Sequence, residues 1–250
     1  MIENLPSLRV VLVSKSAADH DLFRQATVGS KVPIRFHAEG ESAAACRAVA
    51  GAADLVFVDA ELPDTELAQA MAAAHGAAKP PFTVLLAMSP AARSDATDAV
   101  AVKPARRDEA RSLMERSIRV RIPSRVLVVD DSSTMRSIVR KTLAATRFPF
   151  DVAEAAEGLA AIRLAGAADI DIVFLDYNMP GFNGLETLNE LKREKRRMSF
   201  VVMTSMQDET LAAHVRAAGA AFLKKPFFPA DIEAALTSHY GFVALNPKRP

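Results

Sequence analysis

The chain has 250 residues, half of them apolar and 24% charged, which suits one large or two small globular domains and argues against disorder, collagen or coiled coil. No apolar run nears the ~20 residues of a membrane helix. The start, Met1–Pro6, lacks a signal-peptide pattern, and the single cysteine, Cys46, excludes a disulfide framework, so a reducing cytoplasm is expected. With 31 basic against 30 acidic residues, no Trp and two Tyr, nucleic acid is not a default partner.

In chain order, Val10–Ser16 (VVLVSKS) opens on a short apolar run, as for a strand buried on both faces. Ala53–Pro63 (ADLVFVDAELP) holds another, and Val102-Lys103-Pro104 follows a third. Ala105–Arg119 reads as a helix, and Arg121–Ser124, with one Pro and no Gly tract, reads as a constrained joint. The pattern then repeats. Val126–Ser132 (VLVVDDS) answers Val10–Ser16 at an offset of 116. Ile170–Pro180 (IDIVFLDYNMP) answers Ala53–Pro63 at 117, and Lys224-Lys225-Pro226 answers Val102–Pro104 at 122. Three matches in order define a duplicated domain of roughly 120 residues, far longer than a solenoid repeat. The expected domains are 1–120 and 121–250.

The second copy alternates strand and helix. Strands are expected at Val126–Val129, Phe150–Val152, Ile172–Leu175, Phe200–Met203 and Ala221–Leu223. Helices are expected at Ser132–Ala145, Glu157–Ala165 (closed by Gly166), Leu185–Glu194, Glu209–Ala218 (closed by Gly219) and Pro229–Ser238. Such alternation implies an α/β domain with a parallel sheet covered on both faces, whose site lies beyond the carboxyl ends of the strands. The first copy follows the same order with one shortening. Ala87 to Lys103 takes 16 positions where Thr204 to Lys225 takes 21, enough to remove more than one turn of its fourth helix.

Polar residues stand where the strands of the second copy run out: Asp130 and Asp131, Asp176, Thr204 and Ser205, and Lys225. A parallel sheet brings these ends to one edge. Two like charges ~4 Å apart repel by about 4 kcal/mol at an effective dielectric of 20, so three carboxylates there call for a cation. All-oxygen ligands with few protein groups suit Mg²⁺. With Lys and Thr beside it, this is an arrangement for phosphoryl transfer, with an Asp as nucleophile.

Residues Arg125–His239 resemble a receiver domain of two-component response regulators, especially the single-domain chemotaxis type. The likeness rests on Asp130-Asp131, Asp176–Pro180 (DYNMP), Gly184, Thr204-Ser205 and Lys225-Pro226 occurring in that order. It implies a (βα)5 flavodoxin-like domain with strand order 2-1-3-4-5 in each copy. It implies that Asp176 accepts phosphate from a histidine kinase or phosphotransfer protein. Asp130, Asp131, Asp176 and the backbone carbonyl of Asn178 would hold Mg²⁺, Lys225 would grip a phosphoryl oxygen, Thr204 and Phe222 would be the switch pair, and the Lys225–Pro226 bond would be cis. An aspartyl-phosphate phosphatase is disfavoured, because Asn178 stands where its general acid would be.

The first copy keeps Asp59 and Lys103-Pro104, but Ser14 and Lys15 replace the two acids, Ala87 replaces Thr204, Val100 replaces Phe222, and Asp64 replaces Gly181. It is expected to be a pseudo-receiver without Mg²⁺ or phosphate, with Lys15 in the metal's place pairing with Asp59, or with Asp59 and Lys103 as functionless leftovers. The basic run Lys192–Arg197 is read as a solvated helix end. The five histidines show no metal-ligand spacing. No output module is recognisable, so output is expected through a downstream protein target, the first copy serving as adaptor or homodimer surface. The alternatives are a phosphate sink or relay intermediate, and a phosphorylation-independent scaffold. The protein is expected to catalyse only its own phosphorylation and dephosphorylation.

Overall fold

The structure is a computed structural model that describes residues 7–89, 97–193, 198–206 and 209–242. The chain divides into two compact units, one of Met1–Arg121 with Tyr240–Asn246, the other of Ile122–His239 with Pro247–Pro250.

The first unit contains β1 (Leu8–Val13), α1 (Ala17–Ala26), β2 (Ile34–Glu39), α2 (Ser42–Ala50), β3 (Leu55–Asp59), α3 (Asp64–His75), β4 (Phe82–Ala87), β5 (Ala99–Val102) and α4 (Arg107–Arg119). The second contains β6 (Ser124–Val129), α5 (Ser133–Ala145), β7 (Phe150–Ala155), α6 (Gly158–Ala167), β8 (Ile172–Asp176), α7 (Gly184–Arg193), β9 (Ser199–Thr204), α8 (Glu209–Ala217), β10 (Ala221–Lys224) and α9 (Pro229–His239). The sheets run β2-β1-β3-β4-β5 and β7-β6-β8-β9-β10, with every neighbouring pair parallel. Both are the expected doubly wound five-stranded order. The expected shortening of the first copy's fourth helix falls on 90–96, and most of the basic run on 194–197, outside the described residues.

The apolar strand runs are explained by burial on both faces. In β1, Val11 and Val13 join Val56 and Val58 in one core layer, under α2 and α3. Leu12 and Phe57 are also fully buried, and the Phe57 ring lies 5.0 Å from Phe23 of α1. In the second unit Leu127, Val129, Val173 and Leu175 form the matching layer with Leu188 and Leu191 of α7. The two copies also start their strands alike. The Arg9 N–H donates to Asp54 Oδ2 and the Arg125 N–H to Asp171 Oδ2, at 2.9 and 2.8 Å. Ser16 caps α1 by accepting from the Asp19 N–H, and Ser132 caps α5 by accepting from the Met135 N–H. Tyr240 and Phe242 complete the first unit. The Phe242 ring lies 5.8 Å from that of Phe82 with the Arg116 guanidinium 5.8 Å over it, while Arg116 Nη1 donates to the Gly241 carbonyl.

Gly166 does not close α6, which continues to Ala167. Buried Ala161 and Ala165 hold that face of the helix, which offsets the ~1 kcal/mol cost of an interior glycine. Gly219, at φ +69°, does follow the end of α8. In the second unit Gly181 takes φ +78° ahead of α7. In the first, Asp64 begins α3 directly after Pro63, so the turn is absorbed into the helix.

Candidate functional site

Four strand ends build the site of the second unit. Asp130 follows β6, Asp176 ends β8, Thr204 ends β9, and Lys225 follows β10. Parallel pairing aligns all four at one sheet edge. Asp130, Asp176 and Thr204 are buried, whereas Asp131 is exposed. The Lys225 ammonium donates to Asp130 Oδ2 at 2.7 Å and to Asp176 Oδ1 at 2.9 Å. The Ser132 N–H donates to Asp130 Oδ1 at 2.9 Å. The Lys225–Pro226 bond is cis. Gly184 is dictated by crowding, since a Cβ there would sit 2.5 Å from the Asp176 carbonyl oxygen.

Burial raises the Asp176 carboxyl above its usual range, and the charge of Asp130 adds to the rise, against the pull of Lys225 and the Asn178 N–H. Burial works against the Lys225 ammonium, but its hydrogen bonds to Asp130 and Asp176 outweigh it and raise its pKa. One ammonium shared by two buried carboxylates leaves the cluster net negative. Asp130, Asp131 and Asp176 each offer an oxygen within 4.8 Å of the others. That is a spacing and chemistry that fit a hard divalent cation such as Mg²⁺. The Asn178 backbone N–H turns toward Asp176. The Thr204 hydroxyl accepts from the Met206 N–H at 3.1 Å, and Phe222 is half-buried against the core.

The matching edge of the first unit is closed by ion pairs. Lys103 Nζ lies 2.8 Å from Asp59 Oδ2, 3.0 Å from Asp19 Oδ2 and 2.9 Å from Glu61 Oε2. The buried Ser14 hydroxyl is 2.7 Å from Asp19 and 2.9 Å from Asp59, and its one proton serves one of them. Burial pushes the Asp59 carboxyl up, yet Lys103, the Glu61 N–H and Ser14 hold it below the ordinary carboxylate range. The Lys103 ammonium is opposed by burial, and its carboxylate partners raise it nonetheless. Lys15 does not pair with Asp59. It points outward to Glu66 at 2.7 Å, because the second residue after this strand faces solvent in both units, as Asp131 does. Ala87 and Val100 are buried.

Sequence reasoning missed Asp19, Glu61 and Arg136. Asp19 reads as the third residue of a capped helix, and Ser16-x-x-Asp19 disguises its role at the lysine. Arg136 contacts backbone carbonyls, which leave no mark on a sequence.

Residues 126–237 match the family model of the response regulator receiver domain. The nitrate/nitrite response regulator NarP of Escherichia coli is 43% identical over 82 residues, covering 33% of this chain and 38% of that protein. NarL of the same organism is 33% identical over 115 residues, covering 46% and 53%. The chain therefore spans about half the length, or less, of these curated relatives. A solved structure of a two-component system response regulator/GGDEF domain protein superposes with a TM-score of 0.55 at 21% identity, over 94% of this chain and 98% of that one, which is a likeness of fold. The second unit is a receiver domain of the two-component response regulators, and the first repeats its fold. Among the described residues no helix is long and apolar enough to cross a membrane.

Proposed function

We propose that the second unit is a working receiver that takes a phosphoryl group on Asp176 and so switches a protein-binding surface, while the first unit is a pseudo-receiver that takes none. The observation that carries this reading is the cluster of Asp130, Asp131 and Asp176, whose oxygens lie within 4.8 Å of one another, against a first unit in which Ser14 and Lys15 stand in place of the first two acids.

An Asp176 oxygen attacks phosphorus, a P–O bond forms, and the P–N bond to the donor imidazole breaks as that ring leaves. Lys225, already 2.9 Å from Asp176, then follows a phosphoryl oxygen. Asp130, Asp131, Asp176 and the Asn178 carbonyl would hold Mg²⁺, which when bound neutralises charge on the phosphoryl oxygens. The Thr204 hydroxyl leaves the Met206 N–H for the phosphoryl group, and Phe222 turns with it. The donor is a histidine kinase or phosphotransfer protein in the cytoplasm and the reader a downstream protein, so the chain turns over only its own phosphoryl group.

The test is intact mass after incubation with Mg²⁺ and acetyl phosphate. One phosphoryl group is expected on the wild type and on Asp59→Ala, and none on Asp176→Ala. A group that disappears with Asp59 instead overturns the assignment of the two units.

A further inference from the structure

The turn between β6 and α5 carries both Asp130 and Asp131, yet the two acids are held very differently. The Asp130 carboxylate is fixed by the Ser132 N–H and by Lys225. Among the described residues no donor reaches the Asp131 carboxylate, so its place beside the buried pair is set by the backbone of the turn.

That backbone is gripped by a guanidinium. Arg136, in the first turns of α5, donates from Nη1 to the Asp130 carbonyl at 2.7 Å and, at 3.4 Å, to the Asp131 carbonyl. Its Nε donates to Glu154 Oε2 at 3.1 Å. Glu154 sits on β7, in register with Val128 of β6, and its other oxygen takes Arg140 at 3.1 Å. The Arg136 side chain is only 17% exposed. A planar fork of donors thus ties the acid-bearing turn to the neighbouring strand, a geometry that a lysine cannot copy.

The first unit supplies a natural comparison. His20, at the offset of 116 from Arg136, donates from Nε2 to the Ser14 carbonyl at 2.6 Å. Ser14 stands where Asp130 stands. A donor to the first carbonyl is therefore common to both units, and the reach to the second carbonyl goes with the unit whose second residue is an acid.

We propose that Arg136, anchored by Glu154, is a positioning residue that sets the Asp131 carboxylate for the divalent cation. The inference rests on the reading of the second unit as a Mg²⁺-dependent receiver. Partners one step removed from a metal ligand are commonly worth about 10–100-fold in metal affinity.

The test is the Mg²⁺ dissociation constant of the full chain by titration calorimetry, for the wild type, Arg136→Ala, Arg136→Lys and Glu154→Gln. The expected weakening is about tenfold or more in Arg136→Ala and Glu154→Gln, and less in Arg136→Lys, which keeps one donor. Simple charge predicts otherwise for Arg136→Ala, because losing a cation there should tighten Mg²⁺, whereas it predicts weakening for Glu154→Gln as well, so the Arg136 variants carry the distinction. Labelling by acetyl phosphate gives a second readout. The Mg²⁺ concentration for half-maximal rate should rise with the dissociation constant, and the rate at saturating Mg²⁺ should recover toward that of the wild type. If Arg136→Ala does not fold, Arg136→Lys, which keeps the charge and loses the fork, decides the matter. Affinity within twofold of wild type in the folded variants, or tighter in Arg136→Ala, overturns the role of Arg136 and leaves the receiver reading standing. A wild type that binds no Mg²⁺ overturns both. A wild type that binds Mg²⁺ but takes no phosphoryl group on Asp176 overturns the receiver reading alone.

Discussion

Asp59 and Asp176 end the same strand in two copies of one fold, and each receives a lysine from the end of the last strand. Their acidities nevertheless move in opposite directions, Asp59 down and Asp176 up. Both are buried, so desolvation is not the difference. The difference lies at the end of the first strand. There Asp130 places a second charge against Asp176, whereas Ser14 offers Asp59 a hydroxyl and no charge. The first unit does bring in another acid, Asp19, but it comes from a helix and is taken up by Lys103 together with Glu61. One position thus separates an aspartate held beside a second strand-end charge from one held beside a neutral hydroxyl.

The largest expected effect comes from making the second unit copy the first. Asp130→Ser with Asp131→Lys should abolish Mg²⁺ binding and labelling, read by calorimetry and intact mass. Persistent labelling would show that the strand-end acids do not separate the two sites.

A smaller effect should separate the two aspartates by stability. Asp59→Asn removes a carboxylate that its surroundings favour as an anion, and should cost about 1–3 kcal/mol at neutral pH. Asp176→Asn relieves a crowded charge and leaves Lys225 to Asp130 alone, so without Mg²⁺ it should cost nothing measurable in urea unfolding. The pH dependence follows. The folded Asp59 carboxyl titrates below its unfolded value of about 3.9, so its contribution is present above that pH and lost as pH falls through the folded value. The Lys103 contribution is present below about 10.4 and lost as pH rises through its raised folded value. The gap between wild type and Asp59→Asn should therefore be flat from roughly pH 5 to 9 and close in acid. A gap that closes near neutral pH would contradict the ion-paired description.

The smallest effects should be equal in the two units. Ser16→Ala and Ser132→Ala each remove one helix cap, at about 1 kcal/mol apiece in thermal unfolding. Unequal losses would show that the cap does more in one copy than hold its helix.

The alternation of strands and helices was legible because strands of a parallel sheet are buried on both faces and appear as runs such as Val126–Val129. The candidate site was legible for a related reason, since a polar residue directly after such a run must lie at the sheet edge. Which of two consecutive polar residues there faces inward was not legible. Lys15 and Asp131 occupy the same outward position, and the expected Lys15–Asp59 pair assumed the inward one. Contacts from beyond the strand ends were also hidden. Asp19 enters from a helix, and Arg136 meets carbonyl oxygens common to any sequence. The end of α6 was misjudged because a glycine in a helix whose buried alanines pack well is tolerated.

Phe242 has a consequence for the order in which the protein is made. Domains generally fold as they leave the ribosome, the earlier one first. Here the first unit seats its Phe82 ring against an aromatic that follows the last helix of the second. During synthesis, the domain begun first therefore waits for this ring contact until the last helix of the second has been made.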